Sequence, residues 1–203
     1  MAINNSYINE KSLKKILSSY NICDSDELFE LLLRLKEHDL RTFVKSVNTM
    51  KTVAGILCNE RMSEKKKSEI LLGALLHDIG NLYIDKNVLS TTGPISVEDY
   101  QEIKKHTLYG VDILKNYPSL LTKTVKNIVL YHHEINGGKG YPFELQKVPY
   151  EAQIVGAVSA YRAMANESRR YIDPSRALIT LSYEGVSDKI VKLIQVQQKA
   201  ISI

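Results

Sequence analysis

Five histidines occur in the 203 residues, and four of them, His77, His106, His132 and His133, fall in polar contexts at or near the ends of segments with helical periodicity. A neutral imidazole offers a lone pair to a transition metal, and an adjacent carboxylate adds a hard oxygen ligand. Asp78, next to His77, is placed to supply that oxygen and to bridge two ions. Tandem His132-His133 followed by Glu134 is the least ordinary part of the set. Successive helical residues point about 100° apart, so one of the pair can face a metal while the other faces a substrate or a second ion. A His-Asp dipeptide carries little weight alone. His38-Asp39 is a second one without supporting context and reads as a surface pair. A solitary His106 would read as an ordinary helix histidine. Together, the four histidines and Asp78 point to a metal centre.

The elements that must position these groups read as helices nearly throughout. Asp24-Ser25-Asp26 looks like a cap before Leu28, Phe29, Leu31, Leu32 and Leu35, which recur at helical spacing. That helix either runs on or breaks near His38-Asp39 and resumes from Thr42, with Val44, Val47, Met50, Val53, Ala54 and Leu57 as a second apolar stripe. Ser63 to Leu76 starts charged and becomes almost wholly apolar, which predicts a buried helix delivering His77-Asp78 at its end. Residues 80–95 carry Gly80, Gly93 and Pro94 and read as a loop. Ser96 caps a helix leading to His106, and another helix starts near Gly110. Ser119 to His133, Tyr150 to Met164, a segment opened by Pro174, and Ser187 to Ala200 complete the helices. Gly137, Gly138, Gly140 and Pro142 break the chain between the third and fourth histidines and the next helix. No strand of period-two alternation and no internal repeat is visible. The expected fold is all-α, with residues 1–35 as a helical N-terminal appendage and 36–203 as one domain.

Bulk properties fit that reading. The net charge of +4 is mild and dispersed, which suits an anionic ligand without calling for DNA. The dense run Lys65-Lys66-Lys67 reads as a solvated helix start. Cys23 and Cys58 have no metal or redox spacing, and no secretory signal or membrane span is expected, so the cytoplasm is the expected compartment.

Two segments resemble a known family. Leu75-Leu76-His77-Asp78-Ile79-Gly80 is similar to the signature of HD-domain phosphohydrolases. His132-His133-Glu134-Ile135-Asn136-Gly137-Gly138-Lys139-Gly140-Tyr141-Pro142 resembles the HHExxxGxGYP signature of the HD-GYP subfamily, and the intervening His106 and Gly110 agree in order and spacing. The resemblance covers about residues 40–185. It implies an HD-domain helical bundle with a two- or three-metal centre, often iron or manganese, and hydrolysis of cyclic di-GMP. Carried over by position, it makes His77, Asp78, His106, His132 and His133 metal ligands. It makes Asp78 and Asn81 catalytic positions, and Gly140, Tyr141, Pro142 and Arg169 or Arg170 ligand contacts. Tyr141 could pack on a base.

The chain departs from that pattern in one region. Thr42-Phe43-Val44-Lys45-Ser46 matches the family's TxxHS-like segment, with Lys45 where the family has a metal-binding His. Asn81 stands where the family has Lys, Ser159 replaces a ligand Asp, Arg162 replaces a second Asp, and Gly137 stands where Asp or Asn is frequent. Lys45 and Arg162 would add positive charge near the vacated position and disfavour an ion there. The expectation is one ion or none, with Lys45 partly replacing the missing one. The expected function is a cyclic di-GMP phosphodiesterase-class module with weak or lost diesterase activity and a binding or regulatory role. The alternatives are an active phosphodiesterase with a reduced metal site, and a protein-interaction domain without ligand. The expected partners are cyclic di-GMP or a related nucleotide and a signalling protein.

Overall fold

Ser25, Ser63, Ser96 and Thr122 each accept a hydrogen bond from the backbone N–H three residues on, at 3.2, 3.2, 3.0 and 3.3 Å. Each satisfies one of the N–H groups that a helix start leaves without a partner. In a computed structural model, which describes residues 10–22, 25–91, 93–167 and 172–201, these caps open α2 (Asp26–His38), α4 (Glu64–Leu76), α6 (Val97–Lys104) and α8 (Lys123–Tyr131). The rest of the chain order is α1 (Glu10–Ser19), α3 (Leu40–Leu57), α5 (Lys86–Ser90), α7 (His106–Leu114), α9 (Tyr150–Arg162), α10 (Pro174–Tyr183) and α11 (Asp188–Ile201). Pro174 sits in the first turn of α10, behind a cap from Asp173. The described residues include no strand, and the fold is all-α.

Helices α3, α4, α8 and α9 pack on one another, with α7 against the turn that follows α4. The apolar end of α4, Ile70 to Leu76, is buried throughout, as its composition demands. Leu13 and Leu17 of α1 and Leu28, Leu31, Leu32 and Leu35 of α2 belong to the same continuous apolar core as α3 and α4.

Several local readings of the sequence need correction. Residues 80–95 are not simply a loop: Ile79–Tyr83 form a 3₁₀ turn and Lys86–Ser90 a short helix capped by Asp85. The helix expected near Gly110 begins at His106 itself. The helix expected from Ser119 begins only at Lys123, because Thr122 takes an extended conformation and caps it. His38-Asp39 is structural rather than a free surface pair. Asp39 breaks the chain between α2 and α3 and caps α3 through Arg41 N–H at 3.1 Å, while His38 Nε2 lies 2.9 Å from the Ile84 carbonyl. Among the described residues no helix is long and apolar enough to cross a membrane.

Candidate metal centre

Helix ends deliver the site. His77 terminates α4, Asp78 leads into the 3₁₀ turn, His106 opens α7, and His132 terminates α8 with His133 next. Two close backbone approaches fix their relative positions. A Cβ on Gly80 would collide with the His106 carbonyl oxygen, and one on Gly156 of α9 would collide with the His132 carbonyl. Only glycine lets the 3₁₀ turn and α9 dock this closely on the two histidines. His77, Asp78, His106 and His132 are consequently at most 4% exposed.

Backbone hydrogen bonds orient the rings. Nδ1 of His77 lies 2.8 Å from Ala74 O, and Nδ1 of His106 lies 2.7 Å from Ile103 O. Nδ1 of His132 is shared between Ile128 O at 3.1 Å and Val129 O at 3.2 Å. A carbonyl oxygen only accepts, so each Nδ1 is the protonated nitrogen, and in a neutral ring each Nε2 presents a lone pair. All three Nε2 atoms face Asp78. His77 Nε2 is 3.1 Å from Oδ2, and His106 and His132 Nε2 are 3.3 and 3.5 Å from Oδ1. His106 and His132 Nε2 are themselves 3.2 Å apart. Burial above all, outweighing the pull of Asp78, pushes His132 down to about 3. Burial, followed by the neighbouring His132 and His106, also holds His133 well below the usual histidine range. Burial opposes ionisation of Asp78, but the electrostatic pull of His77 and Lys45, with contacts from His106 and His132, outweighs it and keeps the carboxyl well below its ordinary range.

Two halves of this cluster differ in chemistry. On the Oδ1 side, Asp78, His106, His132 and His133 offer ligand atoms that all lie within 4.8 Å of one another. Convergent lone pairs on neutral imidazoles, with the opposite nitrogen pinned by a carbonyl, suit a divalent cation. On the Oδ2 side, Lys45 Nζ makes an ion pair at 2.8 Å, and Ser159 Oγ is 3.4 Å from His77 Nε2. An ammonium at that distance repels a second cation, and a neutral hydroxyl is a poor substitute for a carboxylate ligand. The Oδ1 half therefore fits a metal and the Oδ2 half does not. Arg162 donates from its guanidinium to Thr52 Oγ1 at 3.3 Å.

The Gly-rich segment is tied to the site by Glu134, whose role sequence reading did not assign. Its buried carboxylate accepts from the N–H of Phe143 at 2.6 Å and of Leu145 at 3.0 Å. The available signal was its place directly after the paired histidines, in the segment that resembles the HHE signature. Tyr141, joined to Pro142 by a cis peptide, stacks on His133 with ring centroids 4.6 Å apart and planes 15° apart. That ring face is thus occupied by protein. Gly140, Tyr141 and Pro142 line a shallow cleft with Lys104 and Lys105. A second cleft of about 230 Å³ opens onto Lys45, His132, His133 and Ser159. Asn81 is buried in the 3₁₀ turn, its amide donating to Thr42 Oγ1 at 3.2 Å. Arg169 and Arg170 lie outside the described residues.

An all-helical fold that gathers histidines and one aspartate from helix ends defines a class of helical domain with a side-chain cluster that could hold a metal ion. Comparison with known proteins gives the family. The model of the HD domain family matches residues 27–187. A cyclic di-GMP phosphodiesterase of Thermotoga maritima is 30% identical over 186 residues, covering 87% of this chain and 50% of that protein. A 3'3'-cGAMP-specific phosphodiesterase 2 of Vibrio cholerae is 30% identical over 115 residues, covering 56% of this chain and 22% of that protein. The chain thus spans half the length of the first of these relatives and less of the second. Among solved structures, Bd1817, a HDG"Y"P protein from Bdellovibrio bacteriovorus, shares the fold with a TM-score of 0.67 at 16% identity, over 93% of this chain and 78% of that one. The chain belongs to the HD domain family, and its HHE and GYP segments place it in the HD-GYP branch.

Proposed function

We propose that this chain is a phosphodiesterase-class HD-GYP module with reduced metal capacity. It binds cyclic di-GMP or a related cyclic dinucleotide and hydrolyses it weakly or not at all. The observation that carries the proposal is Lys45 Nζ at 2.8 Å from Asp78 Oδ2, an ammonium in the half of the cluster where the family places a ligand histidine. Asp78, His106, His132 and His133 would hold a single divalent ion, iron or manganese. Such an ion, when bound, polarises a phosphoryl oxygen and lowers the pKa of a water. His77, whose Nε2 faces Asp78 Oδ2 and Ser159 Oγ, would have no second ion to ligate. Lys45 neutralises Asp78 and presents positive charge to the cleft beside His133, where a phosphodiester can approach. Ser159 keeps a polar contact to His77 without supplying the anionic oxygen of the family's aspartate. Asn81, Gly140, Tyr141, Pro142 and the arginines at 169 and 170 remain the residues assigned to catalysis or ligand contact. A signalling protein as partner, a cytoplasmic location and a division of the chain near residue 35 belong to the same reading.

The test is a single anaerobic preparation divided three ways: metal content by mass spectrometry, cyclic di-GMP binding by calorimetry, and turnover by chromatography. Saturable binding with no more than one ion and slow or absent turnover is the expected result. Rapid turnover with two bound ions would replace this reading with that of an active diesterase.

A further inference from the structure

A cavity of about 540 Å³ lies away from the histidine cluster, between the end of α1, the later turns of α3, the start of α4 and the last helix, α11. Its size is within the range of small-molecule sites, roughly 300–1,000 Å³. Its floor is apolar: Leu57 and Leu71 are buried there, and Ala54 and Tyr20 add further apolar surface. Two ammonium groups border it. Lys67 pairs with Glu64 at 3.0 Å, but the Glu64 side chain is 79% exposed and leans toward water. Lys51 has no carboxylate partner among the described residues. Burial first, and the Arg162 guanidinium second, hold its ammonium below the usual lysine value. A Cβ on Gly55 would strike the Gln197 carboxamide, so that amide lies across the cavity wall, and it makes no hydrogen bond to a described residue.

We propose that this cavity is a binding site for a small organic anion, with a carboxylate held by Lys51 and the Gln197 amide and an apolar body resting on Leu57 and Leu71. Three observations converge on it independently of the metal cluster: a concave volume with an apolar floor, a partly buried ammonium without a carboxylate partner among the described residues, and an amide on the same wall that makes no hydrogen bond to a described residue. A neutral apolar ligand would leave Lys51 uncompensated. An inorganic anion would leave the apolar floor wet. An aromatic or branched aliphatic carboxylate satisfies both. Glu64, the carboxylate bordering the cavity, is turned outward, so it does not neutralise Lys51.

Cys58 is exposed and borders the same cavity, which supplies a reporter. In the full chain carrying Cys23→Ser, the rate of Cys58 modification by N-ethylmaleimide is followed by mass spectrometry against added naphthoate. Naphthoate is expected to slow the reaction saturably, whereas naphthamide, of the same shape without charge, leaves it unchanged. Lys51→Met is expected to raise the half-protecting concentration about tenfold, equivalent to about 1.4 kcal/mol, and Lys51→Arg to restore it. No protection, equal protection by naphthamide, or equal protection in Lys51→Met would overturn the proposal. If Lys51→Met does not fold, the naphthoate–naphthamide contrast decides alone. The measurement involves neither metal nor cyclic dinucleotide, so it stands or falls separately from the proposed function.

Discussion

Replacing Lys45 by Met removes the ammonium 2.8 Å from a carboxylate whose side chain is 3% exposed. Met keeps the length and apolar stem of the lysine, so packing is nearly conserved and the perturbation is electrostatic. Stripping one partner from a buried ion pair leaves an uncompensated charge and costs about 3–5 kcal/mol. The Lys45 side chain is 26% exposed, so water screens part of the interaction, and about 2–3 kcal/mol is the reasonable scale here. For a chain of this size each kcal/mol moves the melting temperature by about 2–4 °C, so Lys45→Met should melt roughly 5–10 °C below wild type. The assay is thermal unfolding by circular dichroism in excess chelator. Adding Asp78→Asn to Lys45→Met should recover most of the loss, because the orphaned charge disappears. Adding manganese should narrow the gap for Lys45→Met, because a cation on the Oδ1 side then offsets Asp78. If Lys45→Met is as stable as wild type in chelator, or if Asp78→Asn does not rescue it, the ion pair does not support the site in the way described.

Further outcomes follow from the same geometry. His132 is depressed to about 3 in the fold against about 6.5 when unfolded, and Asp78 is also depressed, so both favour unfolding in acid. The His132 contribution is complete above about pH 6.5 and is lost as pH falls toward its folded value. The Asp78 contribution is complete above about pH 3.9 and is lost below it. His132→Gln should therefore flatten the stability–pH curve between about 6.5 and 4 in chelator, measured by urea titration across pH. Glu134→Ala leaves the N–H groups of Phe143 and Leu145 without their acceptor, and should cost about 2–3 kcal/mol. It should also speed amide exchange in residues 141–145, with metal content held. Gly156→Ala drives a methyl group into the His132 carbonyl. It should cost about 1–3 kcal/mol and lower metal affinity, read by unfolding and by metal titration.

The chemistry was more legible than its positioning. His77, Asp78, His106 and His132-His133 could be picked out because histidine is scarce in this chain and because the HHE and GYP segments follow one another at a fixed distance. Helix starts marked by Ser63, Ser96 and Pro174 were readable because a cap is a local interaction. What could not be read depends on contacts distant in sequence. Gly80 looks like a loop glycine until α7 is placed against it, and then it becomes the residue that lets a 3₁₀ turn dock on His106. Arg162 offers no sequence signal of its partner, and its guanidinium donates to Thr52, 110 residues away in the chain. Nothing in the sequence shows that one face of the Tyr141 ring is covered by His133. His38-Asp39 shows the converse: the same dipeptide as His77-Asp78, placed at a helix break instead of in a histidine cluster, caps and braces helices.

The most direct test of the divided cluster is the number of divalent ions that the protein holds tightly after anaerobic loading with iron or manganese and removal of excess. One ion per chain, lost in His106→Ala and His132→Ala but retained in Ser159→Ala, is the predicted result. Two or more tightly bound ions per chain would contradict it, because the Oδ2 side of Asp78 would then accept a metal in spite of Lys45.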